Sequence, residues 1–263
     1  MPFATTPDGT CLYFETHGTG TPLLLLAGQA SDHREWDGVR ADFAAHHCVI
    51  VLDYRGTGQS DKPSAPAYST RGFAQDAVAV LDQLGIERVH AYGVSMGGRV
   101  AQWLGIDHPQ RLGALVLGAT TPGNAHGEAR DPAITQAMQR GDWASLRHTL
   151  VSPEWSRANP DFEQRMAAMD ASPGPAFARR LHYQASEGHD SWQSLPSITA
   201  PTLVIHGSQD EINPRANGRL LSDRIPGAQL QLIDGARHSY FEEYRTVASQ
   251  LVLDFLRRHP LQA

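Results

Sequence analysis

The sequence predicts an α/β fold: a doubly wound, mostly parallel sheet flanked by helices, with a helical cap inserted late in the chain. Short apolar runs such as 23–27 and 48–52 indicate strands that are buried on both faces, as the strands of parallel sheets are. Segments with a 3.6-residue apolar period separate these runs, and strands that alternate with helices form right-handed βαβ units. The alternation breaks between Thr121 and Leu195 and resumes at Pro201.

The first fifth of the chain supplies three of the predicted strands. Alternating residues at 11–16 predict a strand between two glycine-containing turns, and the run 22–27 predicts a buried strand. A helix is expected over 36–45, followed by a buried strand over 48–52. This strand ends in the glycine-punctuated loop 53–60.

The next elements centre on a turn at Ser95. An apolar stripe with helical spacing predicts an amphipathic helix over 69–84, which stops at Gly85. A strand that begins at Val89 then runs into Gly-Val-Ser95-Met-Gly and a helix, and another buried strand follows over 112–117. These elements extend the alternating pattern up to residue 121.

The chain divides into a core and one insertion. Residues 122–195 are rich in charge, proline and tryptophan and show helical spacing in patches at 134–138, 162–169 and 176–183. We therefore expect residues 1–121 and 196–263 to form the core, with 122–195 inserted after the sixth strand as a helical cap. Strands at 201–207 and 229–233 and an amphipathic helix over 244–258 complete the prediction.

Composition excludes several classes of protein. A hydrophobic content of 41% and a charged content of 19% are typical of a soluble globular protein. The net charge of −6 offers no basic surface for nucleic acid. The N-terminal residues lack a signal peptide and the longest apolar block is too short for a bilayer, so we expect a cytoplasmic protein without a membrane partner.

Ser95 has the sequence context of an activated nucleophile. In Gly-x-Ser-x-Gly between a strand and a helix, the serine sits on a strained turn that requires small residues two positions before and after it. The N–H groups of the following helix suit a developing negative charge. A serine hydroxyl also needs a base, and the base needs a carboxylate that fixes its tautomer.

His238 and Asp210 are the predicted base and acid. Both follow late strands, where a doubly wound sheet presents its functional loops, and they give the chain order Ser, Asp, His. Glu211 is the rival acid, and Asp234 and Glu242 are less well placed. An oxyanion hole is expected from the backbone N–H groups of Met96 and of Gln29, the latter in the loop after the strand 22–27.

These motifs resemble those of the α/β-hydrolase fold superfamily over nearly the whole chain. The matching stretches are 53–60, Gly-Val-Ser95-Met-Gly-Gly, His-Gly-Ser-Gln-Asp210 and Gly-Ala-Arg-His238. Within the superfamily the chain resembles small bacterial carboxylesterases and enol-lactonases such as 3-oxoadipate enol-lactonase, to whose loop residues 29–36 are similar. One departure is the pair Ala27-Gly28 where His-Gly is usual.

The resemblance implies a serine hydrolase of a small carboxylic ester or lactone, with no metal or organic cofactor. Close alternatives are a thioesterase, a C–C bond hydrolase and a cofactor-free perhydrolase, and a ligand receptor that keeps the triad is a rival of another class. An inactive scaffold is disfavoured because all three triad residues occur in order. The oligomeric state is left open. Aromatic and amphipathic residues are candidates for the substrate pocket, with packing of the cap against the core as the alternative for each: His33, Trp36, Trp155, His182, Tyr183 and Trp192.

Overall fold

The computed structural model describes residues 2–65, 68–172 and 174–261, and an eight-stranded sheet lies at its centre. The strands are β1 (Phe3–Thr5), β2 (Cys11–His17), β3 (Thr21–Leu26), β4 (His47–Leu52), β5 (Val89–Val94), β6 (Leu112–Gly118), β7 (Thr202–Gly207) and β8 (Gln229–Ile233). Their order is β1-β2-β4-β3-β5-β6-β7-β8, in which β2 runs antiparallel to both of its neighbours, β1 and β4, and every other neighbouring pair is parallel. The predicted doubly wound, mostly parallel sheet is confirmed.

The strand order reverses between β3 and β5, which are neighbours in the sheet. From β3 the chain crosses to β4 on one side, and it then returns to place β5 on the other side. Ligands of open α/β sheets bind at such a switch point, outside the carboxyl ends of the strands. The loop after β3 and the turn after β5 therefore meet where a site is expected.

Helices cover both faces of the sheet and fill the segment between β6 and β7. They are α1 (Arg40–Ala44), α2 (Thr70–Gln83), α3 (Met96–Asp107), α4 (Pro132–Arg140), α5 (Arg147–Leu150), α6 (Pro153–Ala158), α7 (Pro160–Ala171), α8 (Ala176–Glu187), α9 (Ala216–Arg224), α10 (Tyr240–Glu243) and α11 (Arg245–Arg258). In the described part of the chain, none of them combines the length and apolar character needed to cross a membrane.

In the N-terminal part of the chain, the structure departs from the sequence prediction at an edge strand and at the first helix. The short edge strand β1 was not predicted, because three residues are too few to show a pattern. The helix expected over 36–45 is instead a 3₁₀ helix, His33–Trp36, followed by α1. Gly38 lies at the break, where a side chain would overlap the carboxylate of Glu242 and the guanidinium of Arg165.

Helix α2 shows how the local sequence determines the packing. Its N-cap is Ser69, whose hydroxyl accepts a hydrogen bond from the N–H of Gly72 at 2.9 Å. The apolar residues Phe73, Ala77 and Val80 recur at helical spacing and are fully buried. Burial of this stripe against the sheet is the main source of stability for such a helix.

Backbone hydrogen bonds join the helical segment between β6 and β7 to the loop after β8. The N–H of His238 donates to the carbonyl of Thr149 at 3.2 Å, and that of Ser239 donates to the carbonyl of Leu150 at 2.8 Å. A second apolar cluster lies beneath α4 and includes Met138 and Ile212. Residues from α5 thereby contact the loop that carries His238.

Candidate active site

Ser95 occupies a strained turn between β5 and α3. Its backbone has φ 54° and ψ −119°, a conformation that residues other than glycine rarely adopt. A Cβ atom at Gly93 would overlap the carbonyl of Gly97, and one at Gly97 would overlap the carbonyl of Leu26. The turn is held by hydrogen bonds from the Ser95 N–H to the carbonyl of Gly118 (2.9 Å) and from the Thr120 hydroxyl to the carbonyl of Ser95 (2.7 Å).

This geometry predicts that Gly93→Ala destabilises the protein far more than a glycine substitution at an open turn. We expect a loss of about 3 kcal/mol or more in the free energy of unfolding, because a methyl group is forced into backbone atoms. Gly85→Ala is the matched control: Gly85 has φ +67°, but apart from its chain neighbours no described residue lies within 4 Å of where its Cβ would stand, so only backbone strain of about 1 kcal/mol is expected. Urea denaturation of both variants checks the prediction, and equal losses would contradict it.

Asp210 and His238 form a buried hydrogen-bonded pair at the ends of β7 and β8. The Nδ1 atom of His238 lies 2.9 Å from Asp210 Oδ2 and 3.1 Å from Oδ1. The backbone N–H groups of Ile212 and Asn213 donate to Asp210 Oδ1, each at 2.9 Å. Since Asp210 is 5% exposed and His238 is 7% exposed, the pair is fixed in position and largely shielded from water.

The pair defines which ring nitrogen of His238 is available. A carboxylate only accepts hydrogen bonds, so Nδ1 carries the proton and Nε2 keeps its lone pair. His238 and Ser95 line the same pocket, although within the described residues no hydrogen bond joins the Ser95 hydroxyl to the imidazole. In structures without a ligand such a catalytic hydrogen bond is often long or poorly aligned.

His206 is a neutral residue that supports the turn carrying Asp210. Burial lowers the pKa of His206, which keeps the ring neutral. Its Nε2 atom lies 3.0 Å from the carbonyl of Asn213 and 3.7 Å from Asp210 Oδ2. Because a carbonyl only accepts, the N–H at Nε2 donates to Asn213 and holds the turn in which Asp210 lies.

The backbone N–H groups of Gln29 and Met96 are among those near Ser95 that have no hydrogen-bond partner in the described part of the chain. Met96 is the first residue of α3, and Gln29 lies in the loop after β3 and lines the pocket. The next residue, Ala30, has φ 58°. Strained backbone at this loop tip is typical of functional sites, where it aims backbone groups at a ligand.

The pocket is a cavity of about 310 Å³ between the ends of the strands and the helices that follow β6. Ser95, His238, Gln29 and Glu35 form its floor. Its opposite wall is apolar and comprises Trp143, Leu150, Phe162, Met166 and Met169. Charged side chains on that wall include Arg147, which pairs with Asp170 at 2.8 Å.

The structure brings none of the six predicted substrate-pocket residues to this cavity. Trp36 is fully buried in the core and packs against Tyr92 and Phe241, with ring centroids 5.1 and 5.4 Å away. His182 is fully buried and stacks on Phe73, and its Nε2 atom contacts the carbonyl of Arg55 at 2.9 Å. Their apolar area is used to join helices to the sheet rather than to bind a ligand.

The other aromatic candidates also serve packing. Trp155 packs edge-on against Phe162 and lines a different surface pocket from the one beside Ser95. Trp192 stacks on His126 and lies under the guanidinium of Arg224. Tyr183 packs against the apolar cluster beneath α4. None of Trp155, Trp192 and Tyr183 lines the cavity beside Ser95, so their contacts favour a packing role over the predicted role in the substrate pocket.

His33 belongs to a carboxylate cluster behind the loop. Its backbone N–H and Nδ1 atom both bind Asp53 Oδ1, at 2.8 and 2.7 Å. Burial opposes protonation, but the Asp53 hydrogen bond and the charges of Asp53 and Glu15 raise the pKa of His33. Asp32 lies close enough to complete a metal-ligand set with His33 and Asp53. Its oxygens, however, accept hydrogen bonds from Arg34, and Asp53 Oδ2 accepts one from Gln59, so protein donors already satisfy both carboxylates.

Sequence reasoning missed Glu35 and the apolar wall. Phe162, Met166 and Met169 recur at positions i, i+4 and i+7 of α7, which is one face of a helix, so the helical spacing seen at 162–169 carried a usable signal. Glu35 gave no such signal, because a single acid in a loop is usually solvated.

Comparisons with known proteins agree with this architecture. A family model described as alpha/beta hydrolase fold matches residues 21–145. RutD of Variovorax paradoxus, named as a candidate carbamate hydrolase, is 30% identical over 94% of this chain and 96% of its own length. The 3-oxoadipate enol-lactonase 1 of Acinetobacter baylyi is 28% identical over 91% of both chains. The solved structure of Est816, described as an N-acyl homoserine lactone degrading enzyme, is 31% identical and covers 97% of this chain and all of its own, with a TM-score of 0.84.

The sheet order, the turn at Ser95 and these similarities lead to the same assignment. The relatives and structural neighbours are hydrolases, esterases and lactonases among them. The predicted resemblance is thereby confirmed, and the chain belongs to the α/β-hydrolase fold family.

Proposed function

We propose that this protein is a serine hydrolase that cleaves a carboxylic ester or lactone through an acyl-enzyme. The observation that carries the proposal is the common position of three features around one cavity. These are Ser95 on its strained turn, His238 paired through Nδ1 with a buried carboxylate, and the unpartnered N–H groups beside the serine. Each supplies one requirement of acyl transfer: a nucleophile, a base and a site for the oxyanion.

In the first half of the reaction, the Ser95 hydroxyl oxygen attacks the carbonyl carbon while His238 Nε2 takes the hydroxyl proton. The carbonyl oxygen becomes an oxyanion that the N–H groups of Gln29 and Met96 stabilise, helped by the N-terminus of α3. The C–O bond to the leaving group then breaks, and the imidazolium gives its proton to the departing oxygen. For a lactone, the new hydroxyl group stays attached to the acyl chain.

Water completes the reaction. His238 Nε2 takes a proton from water as the water oxygen attacks the acyl carbon. The bond between that carbon and Ser95 Oγ then breaks, His238 returns the proton to Oγ, and the carboxylic acid product leaves. Asp210 holds the imidazole in the correct tautomer through both halves and stabilises its positive charge.

We further propose that residues 122–195 act as a cap that determines the substrate. Helix α7 and the neighbouring residues provide the apolar wall of the cavity, opposite the proposed nucleophile. A cavity of about 310 Å³ with this lining suits a small to medium, partly apolar acyl group.

A substrate panel tests the bond that is cleaved. Initial rates should be measured for p-nitrophenyl esters, simple and N-acyl homoserine lactones, thioesters, carbamates, a 1,5-diketone for C–C cleavage, and an ester in hydrogen peroxide. The proposal expects the highest kcat/KM with an ester or lactone. A preference for the carbamate, thioester or C–C substrate would replace it with that activity, and very slow turnover with tight retention of a ligand would favour a receptor.

A further inference from the structure

Glu35 is a second carboxyl group in the cavity that the proposed mechanism does not use. It lies in the 3₁₀ helix His33–Trp36, and its side chain reaches back to the loop after β3. There Oε2 accepts a hydrogen bond from the N–H of Gly28 at 2.5 Å. Gly28 immediately precedes Gln29, and its Cα faces both the Glu35 carboxyl and the Ser95 side chain. Glu35 is thus next to the site proposed for the oxyanion.

The surroundings of Glu35 disfavour a negative charge. Burial raises the pKa of Glu35 to about 7, and this effect exceeds the opposing hydrogen bond from Gly28 and the opposing charge of His238. The neighbouring acids Asp32 and Glu242 raise the pKa further. The carboxyl keeps some contact with the cavity but is otherwise surrounded by protein.

The remaining polar groups around Glu35 offer no compensating cation. The adjacent guanidinium of Arg34 is bound to Asp32, and that of Arg165 is bound to Glu242 at 2.7 Å. Tyr54 and Tyr92 are buried, and their pKa values are raised, so their hydroxyl groups stay neutral. Among the described residues, Glu35 forms no ion pair.

We propose that Glu35 is a positioning residue that supports catalysis in its protonated form and suppresses it when ionised. The neutral carboxyl accepts a hydrogen bond from the Gly28 N–H. This bond fixes the conformation of the loop after β3 and leaves the N–H of Gln29 free for the substrate. An ionised carboxylate would place a negative charge beside the developing oxyanion and would weaken its stabilisation by the preorganised donors. This inference rests on the proposed serine-hydrolase function. It adds the expectation that hydrolytic activity falls at alkaline pH, where Glu35 is ionised.

The test is the pH profile of kcat/KM for p-nitrophenyl acetate between pH 5 and 9, with spontaneous hydrolysis subtracted. Wild type should lose activity about tenfold per pH unit above the ionisation of Glu35. Glu35→Gln keeps an acceptor for Gly28 but cannot ionise, so its kcat/KM should stay level. For an ionisation near 7, the ratio of variant to wild type should reach about 10 at pH 8 and about 100 at pH 9.

Two matched variants identify the ionising group. Asp37→Asn makes the same acid-to-amide change two residues along, at an exposed position outside the cavity. Its kcat/KM should still fall at alkaline pH, as that of wild type does. Glu242→Gln removes the other buried acid of the cavity wall, and its kcat/KM should also still fall at alkaline pH. A wild-type profile without an alkaline loss would overturn the inference, as would a loss that persists in Glu35→Gln or disappears in Glu242→Gln. Absence of activity at every pH would defeat the proposed function itself.

Thermal unfolding tests the ionisation without relying on catalysis. The unfolded chain releases the Glu35 proton near the ordinary value of 4.5, whereas the folded protein holds it to about 7. Stability contributed by this proton is therefore lost as pH rises between those values. The Tm of Glu35→Gln minus that of wild type should increase from pH 5 to pH 8, and a constant difference would contradict the proposal.

Discussion

Replacing Ser95 with alanine should reduce kcat for ester hydrolysis by about 10⁴- to 10⁶-fold, the range seen when the nucleophile of a triad is removed. The substitution removes only the hydroxyl oxygen that would carry the acyl group. It leaves the turn in place, because the hydrogen bonds that hold it use the backbone of Ser95. Substrate binding should persist, since the apolar wall and the oxyanion donors are unchanged.

The measurement is single-turnover and steady-state hydrolysis of a p-nitrophenyl ester by wild type and Ser95→Ala. Ser31→Ala is the control, because it deletes another hydroxyl from the same cavity without a proposed role in the chemistry. We expect this control to retain most of the wild-type rate. If Ser95→Ala kept more than a tenth of the wild-type rate, another group would have to be the nucleophile.

Asp210→Asn should lower kcat by about 10⁴-fold while the fold stays intact. The carboxylate accepts the N–H at Nδ1 of His238, which leaves Nε2 as the base. An amide can instead donate to Nδ1 and favour the tautomer with its proton on Nε2, which cannot accept the proton of Ser95. The loss should therefore arise from the tautomer and not from displacement of the ring.

Glu211→Gln is the matched control for Asp210, since it changes the adjacent acid, which is exposed. We expect its rate to equal that of wild type. Circular dichroism and urea denaturation should show that both variants are folded. A severe loss in Glu211→Gln with little change in Asp210→Asn would transfer the role of the acid to Glu211.

The fold and the side chains of the proposed triad could be predicted from the sequence because backbone requirements leave a local pattern. Ser95 is recognisable because its turn excludes side chains at Gly93 and Gly97. Asp210 and His238 follow parallel strands, and the carboxyl ends of such strands meet at one edge of the sheet. Their proximity is therefore a consequence of the topology.

The residues that line the cavity could not be predicted in the same way. The sequence gives the chemistry of a side chain, but it does not show whether that side chain points into the core or into the cavity. Trp36 and His182 have the residue types expected of a pocket, yet both point into the core and are fully buried. Met166 and Met169 lie on the face of α7 toward the cavity, which depends on how the helices after β6 pack. Glu35 depends on a long-range arrangement as well, since its burial is produced by elements distant in sequence.

The most direct test of the account is labelling with a fluorophosphonate, which reacts with activated serines, followed by location of the label by mass spectrometry. The experiment compares wild type with Ser95→Ala and His238→Ala. We predict that wild type carries the label on Ser95 and that both variants remain unlabelled, because one lacks the nucleophile and the other lacks its base. A label on another residue, or a folded wild type that takes no label, would contradict the assignment of Ser95 as the activated nucleophile.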